Sequence, residues 1–380
     1  MHRIKLIAIA FTLNACTSTK AIISTTSDLD RILQNISAYK RVTGFGVSVF
    51  TKDTVLYQKA FGYSDLELQT PYTVNTQQKI ASISKTTIAV ALMKGQEMGL
   101  FSLDDPINHH LPFEVVNPYF PDSDITLRHL AMHTSSIKYS EQITDSLIYE
   151  NSDMNISEFF KAHLIKDGKW YNDTNYHKAK PGELGDYSNL GATLAAYLVE
   201  YSSGMPFPAF VQKHIFSPLA LKHTGYTNTQ ATQYYSYRSQ NKFDQVDQSR
   251  ESLYPSGDQV TTIKDLTSFC QAIMNGGTFR SQSILTANSV QEMLDASRLK
   301  SLDDEIHKQG IFWSTMKSPL GIPREMIGHN GGDYGIYTMM FFDQKSGVGY
   351  ILLTNTGLQE GNHISMVGIY QSLWNYARSR

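Results

Sequence analysis

Little in these 380 residues points to a cross-linked or metal-held fold. The chain has two cysteines, Cys16 and Cys270, so no disulfide framework is available. His129 and His133 stand four apart, but no His-Glu-x-x-His occurs and no third ligand is obvious, so no metal is expected. No Gly-x-Ser-x-Gly is present, which removes one common strand–turn–helix nucleophile. No Gly-rich phosphate loop ending in Lys-Ser/Thr is present either, and no cofactor is implied. There is no long basic run, and the formal net charge is −2, which argues against a nucleic-acid partner. No internal repeat is visible.

What is there suits a globular protein. A chain of this length can bury a large core, as one big domain or two lobes. At the N-terminus, His2, Arg3 and Lys5 precede a short apolar run, Leu6 to Leu13, too short to span a bilayer. Leu13-Asn14-Ala15-Cys16 follows and resembles the lipobox of bacterial lipoproteins. That resemblance implies a signal peptide over residues 1–15 and lipidation of Cys16. A Ser/Thr-rich tether, residues 16–27, would then hold a folded domain, 28–380, to a bacterial membrane in the cell envelope, facing the periplasm.

The strongest chemical signal is Ser82-Ile83-Ser84-Lys85. Ser-x-x-Lys occurs six times, starting at Ser37, Ser82, Ser135, Ser239, Ser297 and Ser314, so the spacing alone says little. Only Ser82 opens a long helix that is apolar almost all round, Thr86 to Met93, and such a helix belongs inside a protein. A serine and a lysine one turn apart share a face there. Desolvation favours a neutral lysine, which can accept the serine proton.

Two further stretches add to it. Tyr187-Ser188-Asn189 immediately precedes a helical pattern. Asn189 would be an N-cap in a purely structural reading. In a chemical one, Tyr187 moves protons and Asn189 orients Lys85 and the substrate. Gly328-His329-Asn330-Gly331-Gly332-Asp333 reads as a Gly-rich turn entering the strand from Tyr337, where a free N–H could join that of Ser82 as an oxyanion hole.

The periodicity predicts a helix from Ser27 or Asp28, strands at Val42 to Phe50 and Val55 to Phe61, and the Ser82 helix ending near Gly99. From Asp104 to Tyr254 the pattern is helical and loop-like, with helices at Ile156 to Leu164, Asn189 to Ser202 and Pro206 to Ile215. A helix at Asp265 to Asn275 buries Cys270. Strands return at Tyr337 to Phe342 and Val348 to Leu353, and a helix at Ile364 to Tyr376 closes the chain. The expected fold is α+β and two-lobed: one antiparallel sheet flanked by helices, plus an inserted, mainly helical lobe, with the site between them.

In this order the three motifs resemble those of the serine β-lactamase and penicillin-binding-protein family, in its class C-like branch. Phe61-Gly62-Tyr63, Leu103-Asp104-Asp105-Pro106, His133-Thr134-Ser135 and Pro255-Ser256-Gly257-Asp258 carry the resemblance further, over residues 40 to 355. It implies Ser82 as the acylated nucleophile, Lys85 and Tyr187 sharing base and acid duties, and Asn189 positioning the substrate. It also implies that the N–H groups of Ser82 and Gly332 form the oxyanion hole. The family's lactamases usually carry Lys-Thr-Gly where this chain has His329-Asn330-Gly331, and relatives with His there are often esterases or D-amino-acid peptidases. A neutral His329 would still donate one hydrogen bond but would lack the charge that holds a carboxylate, unless Arg324 folds back to supply it. Esterase-type hydrolysis is therefore expected first. A D-Ala-D-Ala carboxypeptidase or D-aminopeptidase, a β-lactamase, or a non-catalytic envelope binding protein are the alternatives.

Overall fold

The computed structural model describes residues 25–139, 147, 154–227, 232–239, 241–248, 253–297 and 306–380. Cys16 and the whole of residues 1–24 lie outside the described residues, as does most of the loop from Lys138 to Asp153.

Helix α1 (Thr26–Ala38) starts where the Thr25 side chain accepts the Asp28 N–H, and it buries Leu29 and Leu33. Strands β1 (Gly44–Thr51), β2 (Val55–Asp65), β3 (Thr70–Pro71) and β4 (Gln78–Lys79) follow. A 3-10 turn at Ala81–Ile83 then leads into α2 (Ser84–Glu97). The middle is helical: α3 (Leu127–Ala131), α4 (Ile156–Leu164), α5 (Asn189–Ser203) and α6 (Phe207–Val211), the last running on as a π-turn over Gln212–Phe216. Next come β5 (Tyr234–Tyr237), β6 (Phe243–Val246), β7 (Val260–Thr261) and α7 (Ile263–Met274). They are followed by β8 (Thr278–Phe279), β9 (Gln282–Ser283) and α8 (Ala287–Leu294). The chain ends with β10 (Ile306–Gln309), β11 (Ser314–Met316), β12 (Met326–Asp333), β13 (Ile336–Asp343), β14 (Val348–Thr354) and α9 (His363–Arg378).

The main sheet has eight antiparallel strands in the order β10-β11-β12-β13-β14-β1-β2-β3. Its middle joins sequence-distant strands: Phe45 pairs with Thr354 and Val49 with Tyr350. Alternate residues of β1 take opposite faces. Phe45, Val47 and Val49 pack with Leu352, Met366 and Tyr370 under α1 and α9. Phe50 joins Ile351 and Met340 in the larger core that includes α2, α5 and α7. Gly44 permits the tight β1–β2 contact expected there, since a Cβ would lie 2.3 Å from Tyr63 O. Arg128 ties the helical lobe to α8, reaching Asp104 at 2.6 and 2.9 Å and Glu292 at 2.8 Å. The two-lobed α+β architecture is therefore the one expected.

Two local expectations need correction. Gly328 to Asp333 is not a turn but strand β12, paired residue by residue with β13. The region from Asp104 to Tyr254 also holds the β5–β6 ribbon, whose four-residue strands are too short to show an alternating pattern.

Candidate active site

Backbone pairing fixes the 3-10 turn that carries Ser82. Gln78 and Lys79 pair with Thr261 and Val260, and the Ile80 N–H donates to Gln259 O at 3.0 Å. Ala81 is bent to φ +48, a left-handed value that costs a non-glycine residue roughly 1–2 kcal/mol. Ser84 Oγ donates to Ala81 O at 2.6 Å and Thr86 Oγ1 to Ile83 O at 2.7 Å, closing the turn onto α2. Ser82 is left partly exposed while Lys85 is fully buried.

Lys85 Nζ donates to Ser82 Oγ at 3.0 Å and to Ser256 O at 2.9 Å. Whenever the amine is neutral, that contact can run the other way and take the serine proton. The Ser256 carbonyl was not foreseen as a partner, because a backbone acceptor leaves no trace in side-chain spacing. Its segment is anchored nearby by the buried Lys79–Asp258 ion pair, 2.8 Å long, which joins it to the strand leading into Ser82.

Tyr187 stands just before α5. The N-cap of that helix is Ser188, whose Oγ accepts the Gly191 N–H at 3.0 Å, so Asn189 is released from capping. The Tyr187 ring lies 5.0 Å from Lys85 Nζ. Its hydroxyl is buried and makes no well-formed hydrogen bond among the described residues, though Ser82 lies close enough to pull its pKa down. Burial raises the Tyr187 pKa well above the ordinary phenol value, and nearby Ser82 opposes that only weakly, so the hydroxyl keeps its proton at neutral pH. Asn189 Nδ2 donates to Tyr139 Oη at 3.2 Å, while its Oδ1 has no partner among the described residues. Asn189 thus orients through Tyr139, and the carbonyl that holds Lys85 is that of Ser256.

His329 differs from expectation. It is 3% exposed, and its Nδ1 contacts Asn330 O, which can only accept, so the ring proton sits on Nδ1. Nε2 is buried with no partner among the described residues, and the ring centre lies 6.1 Å from that of Tyr187. Burial first, and the Lys85 charge second, depress its pKa to about 3. The ring is neutral and its one N–H is already used, so it has none to offer a substrate. Arg324 is exposed and sits in the bend before β12.

Gly331 and Gly332 differ in role. A Cβ on Gly331 would lie 2.4 Å from Ile80 O, so β12 rests directly against the turn carrying Ser82. Gly332 faces open space, with nothing within 4 Å of a built Cβ. β12 is unpaired with β11 beyond Gly328, which leaves one edge of residues 329–333 available beside the site. His129 and His133 turn to different partners. His129 Nδ1 accepts the Thr126 N–H within a capping box, and His133 turns instead toward Tyr187.

The family profile described as Beta-lactamase matches residues 29–366. Penicillin-binding protein 4* of Bacillus subtilis is 24% identical over 317 residues, covering 78% of this chain and 65% of that protein. The chain spans about six-tenths of the length of the curated relatives it matches, between 60% and 65% for the first three. Among solved structures, an octameric penicillin-binding protein homologue from Pyrococcus abyssi superposes with a TM-score of 0.72 at 22% identity, covering 91% of this chain and 76% of that one. The D-amino acid amidase of Ochrobactrum anthropi SV3 superposes with a TM-score of 0.71 at 21% identity, covering 93% and 98%. These likenesses establish a shared fold, and with the profile match across nearly all the described residues they place this chain in the β-lactamase family.

Proposed function

We propose that this chain is an exported serine hydrolase that cleaves esters, or amides with an uncharged leaving end, through an acyl-Ser82 intermediate. The observation that carries the reading is the 3.0 Å contact between Lys85 Nζ and a partly exposed Ser82 Oγ. In this mechanism Ser82 Oγ attacks the acyl carbon and its proton passes to neutral Lys85. Tyr187, kept protonated by burial, hands a proton to the leaving group and recovers one from Lys85. The N–H groups of Ser82 and Gly332 receive the oxyanion, and Asn189 aligns the substrate. Water then attacks the acyl carbon, and its proton returns through the same groups to Ser82 Oγ as the acid leaves.

The substrate preference rests on His329, which is neutral and buried where lactamases of the family carry a lysine. A lost charge-assisted hydrogen bond is worth about 1.5–3 kcal/mol. A neutral acyl ester or a D-amino-acid amide should therefore exceed a D-Ala-D-Ala peptide and a cephalosporin by at least roughly tenfold in kcat/KM. The His329 pKa of about 3 adds that this ratio stays flat between pH 6 and 8. A wild-type preference for the carboxylate peptide would turn the reading to a carboxypeptidase. Absence of both turnover and covalent labelling would turn it to a binding protein.

The same reading anchors the chain at Cys16, on a bacterial membrane facing the periplasm. Two or three acyl chains, at about 0.8 kcal/mol per buried methylene, would hold it firmly. Cys16→Ala should leave the protein unprocessed or release it from membranes. Wild-type protein that fractionates as freely soluble with an unmodified N-terminus would contradict the anchor.

A further inference from the structure

His133 follows the short helix α3 and is 2% exposed. It meets the Tyr187 segment at consecutive points. Its carbonyl accepts the Asp186 N–H at 2.8 Å, and its Nδ1 accepts the Ser188 N–H at 3.1 Å. Between those two bonds its ring packs on the ring of Tyr187, with centres 4.5 Å apart and planes 35° apart. Phe312 closes on it from the edge at 5.2 Å. The residue adopts φ +59, a left-handed backbone that few non-glycine residues take, Asn, Asp and His more often than the rest.

We infer that His133 is the positioning residue for Tyr187, fixing the backbone on both sides of it and the plane of its ring. This rests on the proton-transfer role given above to Tyr187. Among the described residues the buried Tyr187 hydroxyl makes no well-formed hydrogen bond and has only Ser82 close beside it, so its place is set largely by the backbone and by ring packing. His133 supplies both from another element, while Lys85 Nζ at 5.0 Å and the His329 ring at 6.1 Å are the looser contacts of the Tyr187 ring. The arrangement also fixes the histidine's chemistry. Nδ1 can accept from Ser188 only while it carries no proton, so the working ring is the neutral Nε2–H form. His133 makes no transfer itself. It holds the group that does.

The test is a double-mutant cycle read as kcat/KM on a neutral acyl ester and as the rate of Ser82 labelling by a serine-directed phosphonate. Tyr187→Phe alone should lose about 10²-fold. His133→Ala alone should lose about 10²-fold, mainly in kcat, the scale of a misplaced reacting group. In the Tyr187→Phe background His133→Ala should cost no more than about threefold, because nothing remains to be positioned. His133→Asn should regain about tenfold over His133→Ala, since its Oδ1 can take the Ser188 N–H and asparagine tolerates the left-handed backbone. If His133→Ala does not fold, His133→Met takes its place in the cycle. Equal losses in both backgrounds, or a His133→Ala enzyme within about threefold of wild type, would overturn the inference. Near-full activity of Tyr187→Phe would instead refute the role of Tyr187, and this inference with it.

Discussion

Ser82→Ala should abolish turnover, and Lys85→Ala should come close to it. Losses of roughly 10⁴–10⁶ in kcat are expected, the scale for a nucleophile and base that work as a unit. The double variant should be no worse than either alone, because the first removal already disables the proton transfer between atoms 3.0 Å apart. Both variants should fold, with the more delicate case being Lys85, whose buried stem packs in the α2 core and whose Nζ caps Ser256 O. Steady-state rates on a neutral ester, paired with thermal melts, check this. A folded Ser82→Ala protein that keeps a few per cent of wild-type kcat would remove the nucleophile assignment.

Gly331→Val should cost about 10²-fold or more without touching any reacting group. The new Cβ would lie 2.4 Å from Ile80 O, 2.4 Å from Thr338 Oγ1 and 3.1 Å from Ala81 Cβ. Two of those atoms belong to the residues that lead into Ser82, and Thr338 Oγ1 donates to Ile80 O at 2.9 Å, tying β13 to the same turn. β12 would have to move off the turn, separating Gly332 from Ser82. Gly332→Ala is the control: its Cβ meets nothing within 4 Å, so stability should be unchanged and labelling of Ser82 retained. Comparable losses of labelling in the two variants would show that packing of β12 against the turn does not organise the site.

The strong periodic elements were legible because burial leaves a pattern. Helix α2 has almost no exposed side chain in its first ten residues, and its sequence is apolar all round to match. Tyr337 to Phe342 and Val348 to Leu353 read as strands for the same reason, and the strands run over Ile336–Asp343 and Val348–Thr354. β12 was misread as a turn because Gly328, Gly331 and Gly332 weaken strand propensity, and the reason for glycine there is contact with a neighbouring element. No local pattern encodes the carbonyl that will later sit above a glycine.

The site divided in the same way. Ser82, Lys85 and Tyr187 lie together, with Lys85 Nζ 3.0 Å from Ser82 Oγ and 5.0 Å from the Tyr187 ring. His329 was read as part of a turn free to offer its N–H, whereas it is buried in β12 with Nδ1 against Asn330 O, because depth below the surface depends on how β12 stacks on the turn. His133 was weighed as a metal ligand through its spacing from His129, and its real partners are more than fifty residues away in sequence. Ser256 and Tyr139 contribute a carbonyl and a hydroxyl whose roles appear only once distant segments meet.

On the proposed mechanism, Ser82 becomes acylated. The direct measurement is intact-protein mass followed by peptide mapping after brief exposure to a serine-directed phosphonate and, separately, to a slow acyl ester. One adduct per chain is expected, on the peptide containing Ser82, and absent from Ser82→Ala. An adduct that maps to Ser135, Ser136 or Ser256 and persists in Ser82→Ala would contradict the account.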